Sequence, residues 1–74
     1  MSERLPSLKA IELVRILEKI GFSLIRQKGS HAFFHHPDGR NTSVPIHSGD
    51  LSRYVLREIL KQIEVSEEDL MKLL

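Results

Sequence analysis

Ala10, Leu13, Val14, Leu17 and Ile20 recur at the three-and-four spacing of one helix face, and the pattern stops at Gly21. Ser7 offers a capping oxygen at the start of this helix, and Gly21 offers the left-handed position at its end. From Phe22 to Ile46 the period shortens. Three strands are predicted over Phe22–Lys28, His31–His36 and Asn41–Ile46, divided by Gly29-Ser30 and by Pro37-Asp38-Gly39. Helical spacing then returns in Val55, Leu56, Ile59, Leu60 and Ile63, with Ser52 as the cap and Leu51 with Leu56 placed as a hydrophobic staple. Ser66, with Asp69 three residues on, predicts a short final turn carrying Leu70, Leu73 and Leu74.

The predicted fold is therefore α+β with the order α-β-β-β-α: a three-stranded antiparallel sheet with two helices on one face. It resembles a double-stranded-RNA-binding domain. The turns set the register. A two-residue type II′ loop at Gly29-Ser30 places Lys28 opposite His31, Arg26 opposite Phe33 and Ile25 opposite Phe34. A three-residue loop at Pro37-Asp38-Gly39 places His31 opposite Pro45, with His47 one diagonal step away. One face then holds Arg26, Lys28, His31 and Phe33, and the other holds Ile25, Ala32, Phe34, Thr42, Val44 and Ile46. A two-residue Asp38-Gly39 turn would instead bring Ser43 and Pro45 against Phe34 and Ala32, a poorer core. Pro45 lacks a donor, which suits a third strand at the sheet edge.

Composition narrows the functional classes. The 74 residues fit one domain, 1–74, with a thin core. No cysteine is present, so disulfides and thiolate metal sites are excluded and the expected compartment is the cytoplasm. Nothing behind Met1–Pro6 is apolar for long enough to be a signal peptide or a membrane span. A net charge of +1 is too small for a general polyanion binder, so any nucleic-acid affinity depends on where the cations sit.

They sit around Gly29-Ser30-His31. Arg26 and Lys28 precede the turn, His31 opens the next strand, and Phe33 shares its face. Phosphate-binding charge, an acid/base group and a stackable ring suit RNA better than a small metabolite. Metal binding is not expected. His31 and His35 are four strand residues apart, roughly 13 Å at about 3.3 Å per residue, and His35 and His36 point to opposite faces. The remaining pair, His31 with His47, has only Asp50 nearby to complete a site. His35, His36 and Arg40 read as solvated, and Arg53, Arg57 and Lys61 as a solvated helix face.

Gly21-Phe22, Arg26-Gln27-Lys28-Gly29-Ser30-His31, His36-Pro37-Asp38-Gly39-Arg40 and Val44-Pro45-Ile46-His47 together resemble the HicA (YcfA-like) family of messenger-RNA interferase toxins. The likeness spans almost the whole chain, although the stretch from His47 to Leu56 is shorter than the family's usual loop. The resemblance implies a toxin that cleaves messenger RNA with the strand histidine matched by His31 and is held inactive by a HicB-type antitoxin; no cofactor is expected for histidine acid/base chemistry. An imidazole among cations suits that chemistry: it can take the ribose 2′-hydroxyl proton or protonate the leaving 5′-oxygen. Lys28 and Arg26 would hold the phosphate, the Gly29 and Ser30 amides would add fixed donors, and Phe33 would stack on a base. His47 is the candidate for the second proton transfer. The alternatives are a noncatalytic RNA-binding module of the same fold, in which the histidines only hydrogen-bond to sugar and phosphate, and a chain without activity that serves as a protein partner.

Overall fold

A computed structural model describes residues 5–47 and 49–74. The readings made on residues 1–4 and on Ser48 lie outside this range. The element order is α1 (Ala10–Lys19), β1 (Ser23–Lys28), β2 (His31–His35), β3 (Asn41–Pro45), α2 (Arg53–Ile63) and α3 (Glu67–Leu73). The strands form an antiparallel sheet in the order β1-β2-β3, giving an α+β fold like that of double-stranded-RNA-binding domains. The expected final turn is a third helix. Among the described residues no helix is long and apolar enough to cross a membrane.

Helix α1 starts later than a Ser7 cap would have it. Lys9 is the N-cap, and its backbone N–H donates to the Glu12 carboxylate at 2.9 Å. The delay has a local cause: Lys9 bridges to Asp50, and the Leu51 amide donates to the Leu8 carbonyl at 2.8 Å, which keeps this segment extended. At the other end Gly21 has φ +104°, the Gly21 amide reaches Glu18 O and the Phe22 amide reaches Leu17 O at 2.9 Å. This is the two-bond stop that a glycine after the helix permits. Ser52 and Ser66 cap α2 and α3 as predicted, accepting from the Val55 and Asp69 amides at 3.1 and 3.0 Å.

The core lies between the helices and one face of the sheet. Leu13, Ile16 and Leu17 of α1, Leu56, Ile59, Leu60 and Ile63 of α2 and Leu70 of α3 are buried with Ala32, Phe34, Thr42 and Val44. Ile16, which the predicted stripe omits, is buried, while Val14 and Ile20 pack at its margin. Thr42 keeps its hydroxyl satisfied by donating to Gln62 Oε1 at 2.6 Å. The second hairpin has the predicted three-residue loop, with His31 opposite Pro45 and Phe34 opposite Thr42.

Ile25 does not join the core. A bulge between Leu24 and Arg26 puts Leu24 opposite Phe34 and leaves Ile25 as the extra residue, 61% exposed. Strand β1 is exposed along its whole length; it is the sheet edge opposite β3, the strand on which α1 and α2 pack. The bulge nevertheless leaves Arg26 opposite Phe33 and Lys28 opposite His31, as the turn chemistry predicts.

Candidate active site

Gly29 has φ +60°, and among the described residues outside glycine only Glu64 has positive φ, so Ser30 turns with negative φ. That combination is what a type II′ turn asks of its two central residues. The turn is held by the Ile46 amide, which donates to Ser30 O at 2.6 Å, and by Gln27 Nε2, which donates to Gly29 O at 3.3 Å. It delivers Lys28 and His31 as directly opposed neighbours on the outer face, with the Arg26–Phe33 pair next along. All three polar side chains are exposed.

The electrostatics of this corner are one-sided. Neither Arg26 nor Lys28 has a carboxylate partner among the described residues, and the His31 ring makes no hydrogen bond there. Arg26 instead lies over the Phe33 ring, 5.0 Å from its centre. That contact fixes the guanidinium on the His31 face and occupies the ring expected to stack on a base. His47 is exposed and sits two residues past the end of β3.

His31 also forms one wall of a groove of about 240 Å³ between β3 and α2, with Ser43 and Pro45 beside it and Tyr54, Glu58 and Gln62 across from it. His47 does not line this groove. Sequence reasoning passed over the three α2 residues. Their spacing of i, i+4 and i+8 puts them on one stripe along the rim of the buried face, and a polar stripe interrupted by the chain's only tyrosine was the available signal. Among the described residues no three His, Asp or Glu side chains converge as a metal-binding set would.

At the opposite end of β2, two residues expected in solvent are structural. His36 is half-buried, its Nε2–H donates to the Ile20 carbonyl at 3.2 Å, and its Nδ1 accepts from the Asp38 amide at 3.1 Å. Its ring meets Phe22 edge-on at 5.0 Å between centres. Arg40 donates through Nε to Asp38 Oδ2 at 2.8 Å and through a terminal nitrogen to the Ile63 carbonyl, with its guanidinium over Phe22. The side-chain hydrogen bond from Arg40, aided by the Arg40 backbone amide, which also donates to Asp38, and by the Arg40 charge, holds the Asp38 carboxyl below the ordinary carboxylate range.

The family described as the HicA toxin of bacterial toxin–antitoxin systems matches residues 10–65. The chain belongs to the HicA toxin family. It is thus a toxin of a toxin–antitoxin system, and the match runs from the start of α1 to just past the end of α2, including the whole sheet. No curated protein matched the chain. In this HicA toxin the Gly29-Ser30-His31 corner, the clamped turn at residues 36–40 and the β3–α2 groove all fall inside the matched region. Helix α3 lies beyond it.

Proposed function

We propose that this HicA toxin is an endoribonuclease that cleaves messenger RNA by metal-independent acid/base catalysis at His31, in the cytoplasm, as a single domain over residues 1–74. The observation that carries the reading is the juxtaposition on one exposed face of His31 with Lys28 and Arg26, two cations without carboxylate partners among the described residues. A phosphodiester seated there meets positive charge on one side and an imidazole on the other. His31 takes the ribose 2′-hydroxyl proton, the 2′-oxygen attacks phosphorus in line, and the bond to the 5′-oxygen breaks. The leaving 5′-oxygen takes a proton from a second group, for which His47 is the candidate. The products are a 2′,3′-cyclic phosphate and a 5′-hydroxyl, and DNA, without the 2′-hydroxyl, is not cut. Gly29 and Ser30 amides supply donors beside the phosphate, and Phe33 acts mainly by holding Arg26 in place.

The same face is the natural target of neutralisation. A HicB-type antitoxin that covers His31 and meets Arg26 and Lys28 with acidic groups removes both the catalyst and the phosphate site at once. The activity is tested by incubating the protein and its His31→Ala variant with single-stranded RNA in EDTA and analysing product ends. Cyclic phosphate ends from the parent alone are expected. Equal RNA binding by both proteins with no cleavage by either would replace the nuclease with a binding module.

A further inference from the structure

The groove between β3 and α2 is not needed to explain proton transfer or phosphate binding, yet it opens directly beside His31. Its α2 wall combines three side chains of different chemistry. Tyr54 is 72% exposed, a large aromatic ring left in water in the first turn of α2. Glu58 follows one turn on, about 6 Å along the helix axis, and among the described residues is held only by a long contact to Lys61 at 3.5 Å. Gln62 follows after another turn. Its oxygen is engaged by the Thr42 hydroxyl at 2.6 Å, so its Nε2 donors are the end left for a ligand.

We infer that this groove is a nucleobase pocket, in which the base next to the phosphate at His31 stacks on Tyr54 and presents its edge to Glu58 and Gln62. The inference rests on His31 marking the phosphate position. Every base has a face that an aromatic ring can stack on, so Tyr54 supplies affinity without sequence preference. Preference comes from the edge readers. A carboxylate accepts hydrogen bonds and an amide nitrogen donates them, so the pair fits an edge that ends in an N–H donor with an acceptor beside it. Adenine, cytosine and guanine offer this with an exocyclic amino group. Uracil's one edge donor is flanked by two carbonyl oxygens that repel a carboxylate. The pocket therefore favours amino-bearing bases over uracil, and Glu58 sets that order.

The test uses the chain's single tyrosine, whose ring protons give one unambiguous set of NMR signals. The folded protein is titrated separately with 3′-AMP, 3′-CMP, 3′-GMP, 3′-UMP and inorganic phosphate. Saturable upfield shifts of the Tyr54 ring are expected with the nucleotides and not with phosphate, with 3′-UMP the weakest. Glu58→Gln is expected to erase the disadvantage of 3′-UMP while the fold is retained. In cleavage assays Tyr54→Ala raises KM at least about fivefold, with kcat less affected, as the loss of one stacking contact requires. The pocket is overturned if phosphate moves the ring as far as the nucleotides do, if no nucleotide moves it, or if Glu58→Gln leaves the base order unchanged. If the ring shifts hold while the parent cuts no RNA, the nuclease reading fails and the base pocket stands.

Discussion

His31 and His36 stand five residues apart in one hairpin strand and its turn, and the protein uses them in opposite ways. Around His36 the polar groups are engaged: ring nitrogens on Ile20 O and the Asp38 amide, Arg40 on Asp38 and Ile63 O, with Phe22 against both the His36 ring and the Arg40 guanidinium. Around His31 the same ingredients of turn glycine, histidine and arginine face water, and the nearby cations lack acidic partners among the described residues. The difference arises from what lies behind each turn. The 36–40 turn backs onto the end of α1 and the last turn of α2, whose carbonyls need donors. The 29–30 turn follows β1, which is exposed along its whole length, and His31 faces the open β3–α2 groove, where its ring has no hydrogen-bond partner among the described residues.

Substitution of the two histidines should therefore separate chemistry from stability. His31→Ala is expected to lower RNA cleavage by about a hundredfold or more, the usual share of a general acid or base, with an unchanged urea midpoint. His36→Ala is expected to do the reverse: a loss of about 1–3 kcal/mol in urea unfolding as the Ile20 carbonyl loses its donor, and near-parental cleavage per folded molecule. Reversal of either result would dissolve the distinction between the two ends. Lys28→Ala and Arg26→Ala belong to the first end. Each is expected to reduce kcat/KM by about tenfold, the scale of one charge-assisted contact, with a shallower salt dependence.

The clamp is sharpened by Gly21→Ala. Gly21 has φ +104°, and a Cβ there would lie 2.8 Å from His36 Nε2. Left-handed backbone costs a side chain about 1–2 kcal/mol, and displacement of His36 adds the loss of its bond to Ile20. A destabilisation of about 2–3 kcal/mol is expected from urea unfolding, and it should shrink in a His36→Ala background, since the clash partner is then gone. Full additivity of the two substitutions would show that they do not share a contact.

Most of the geometry around Gly29-Ser30-His31 was legible in the sequence, because it is made by turn rules. Gly-Ser between alternating runs defines a tight hairpin, the hairpin defines the register, and the register places Lys28 against His31. The bulge at Ile25 was not legible: apolar Leu24 and Ile25 are adjacent, and either can be read as the inward residue. The clamp was not legible either. His36 and Arg40 look like turn polarity, and their partners, Ile20 and Ile63, are backbone carbonyls at sequence separations of 16 and 23 that no side-chain pattern advertises. The α2 stripe facing His31 was hidden for a related reason, since the angle at which a helix crosses a sheet is set by packing.

A pH measurement probes the clamp alone. Asp38 titrates below its ordinary range in the folded protein, chiefly through the hydrogen bond from Arg40. A carboxyl depressed on folding adds stability above its unfolded pKa, and that contribution is lost as pH falls through the folded value. The parent should therefore lose stability on the acid side more steeply than Asp38→Asn, while the two curves run parallel near neutrality. Equal acid limbs would show that the Arg40–Asp38 contact does not persist in solution. Asp38 is exposed, so the effect is expected to be smaller than that of Gly21→Ala.

The mildest test concerns the carbonyls that the clamp leaves to the helix itself. Helix α2 ends with Glu64 in the left-handed conformation, φ 60° and ψ 43°, while the Val65 amide donates to Leu60 O at 3.1 Å. This is the same stop that Gly21 gives α1, made by a residue whose Cβ is strained there. The Arg40 bond to Ile63 O, one residue before Glu64, helps to hold that stop in place. Glu64→Gly relieves the strain but frees the unfolded chain, so the net gain is expected to be modest, about 0.5–1 kcal/mol in urea unfolding. If Arg40 is what enforces the left-handed turn, the gain should grow in an Arg40→Ala background, where glycine alone must complete the stop. A gain that is the same in both backgrounds would mean that the helix end is specified without the clamp.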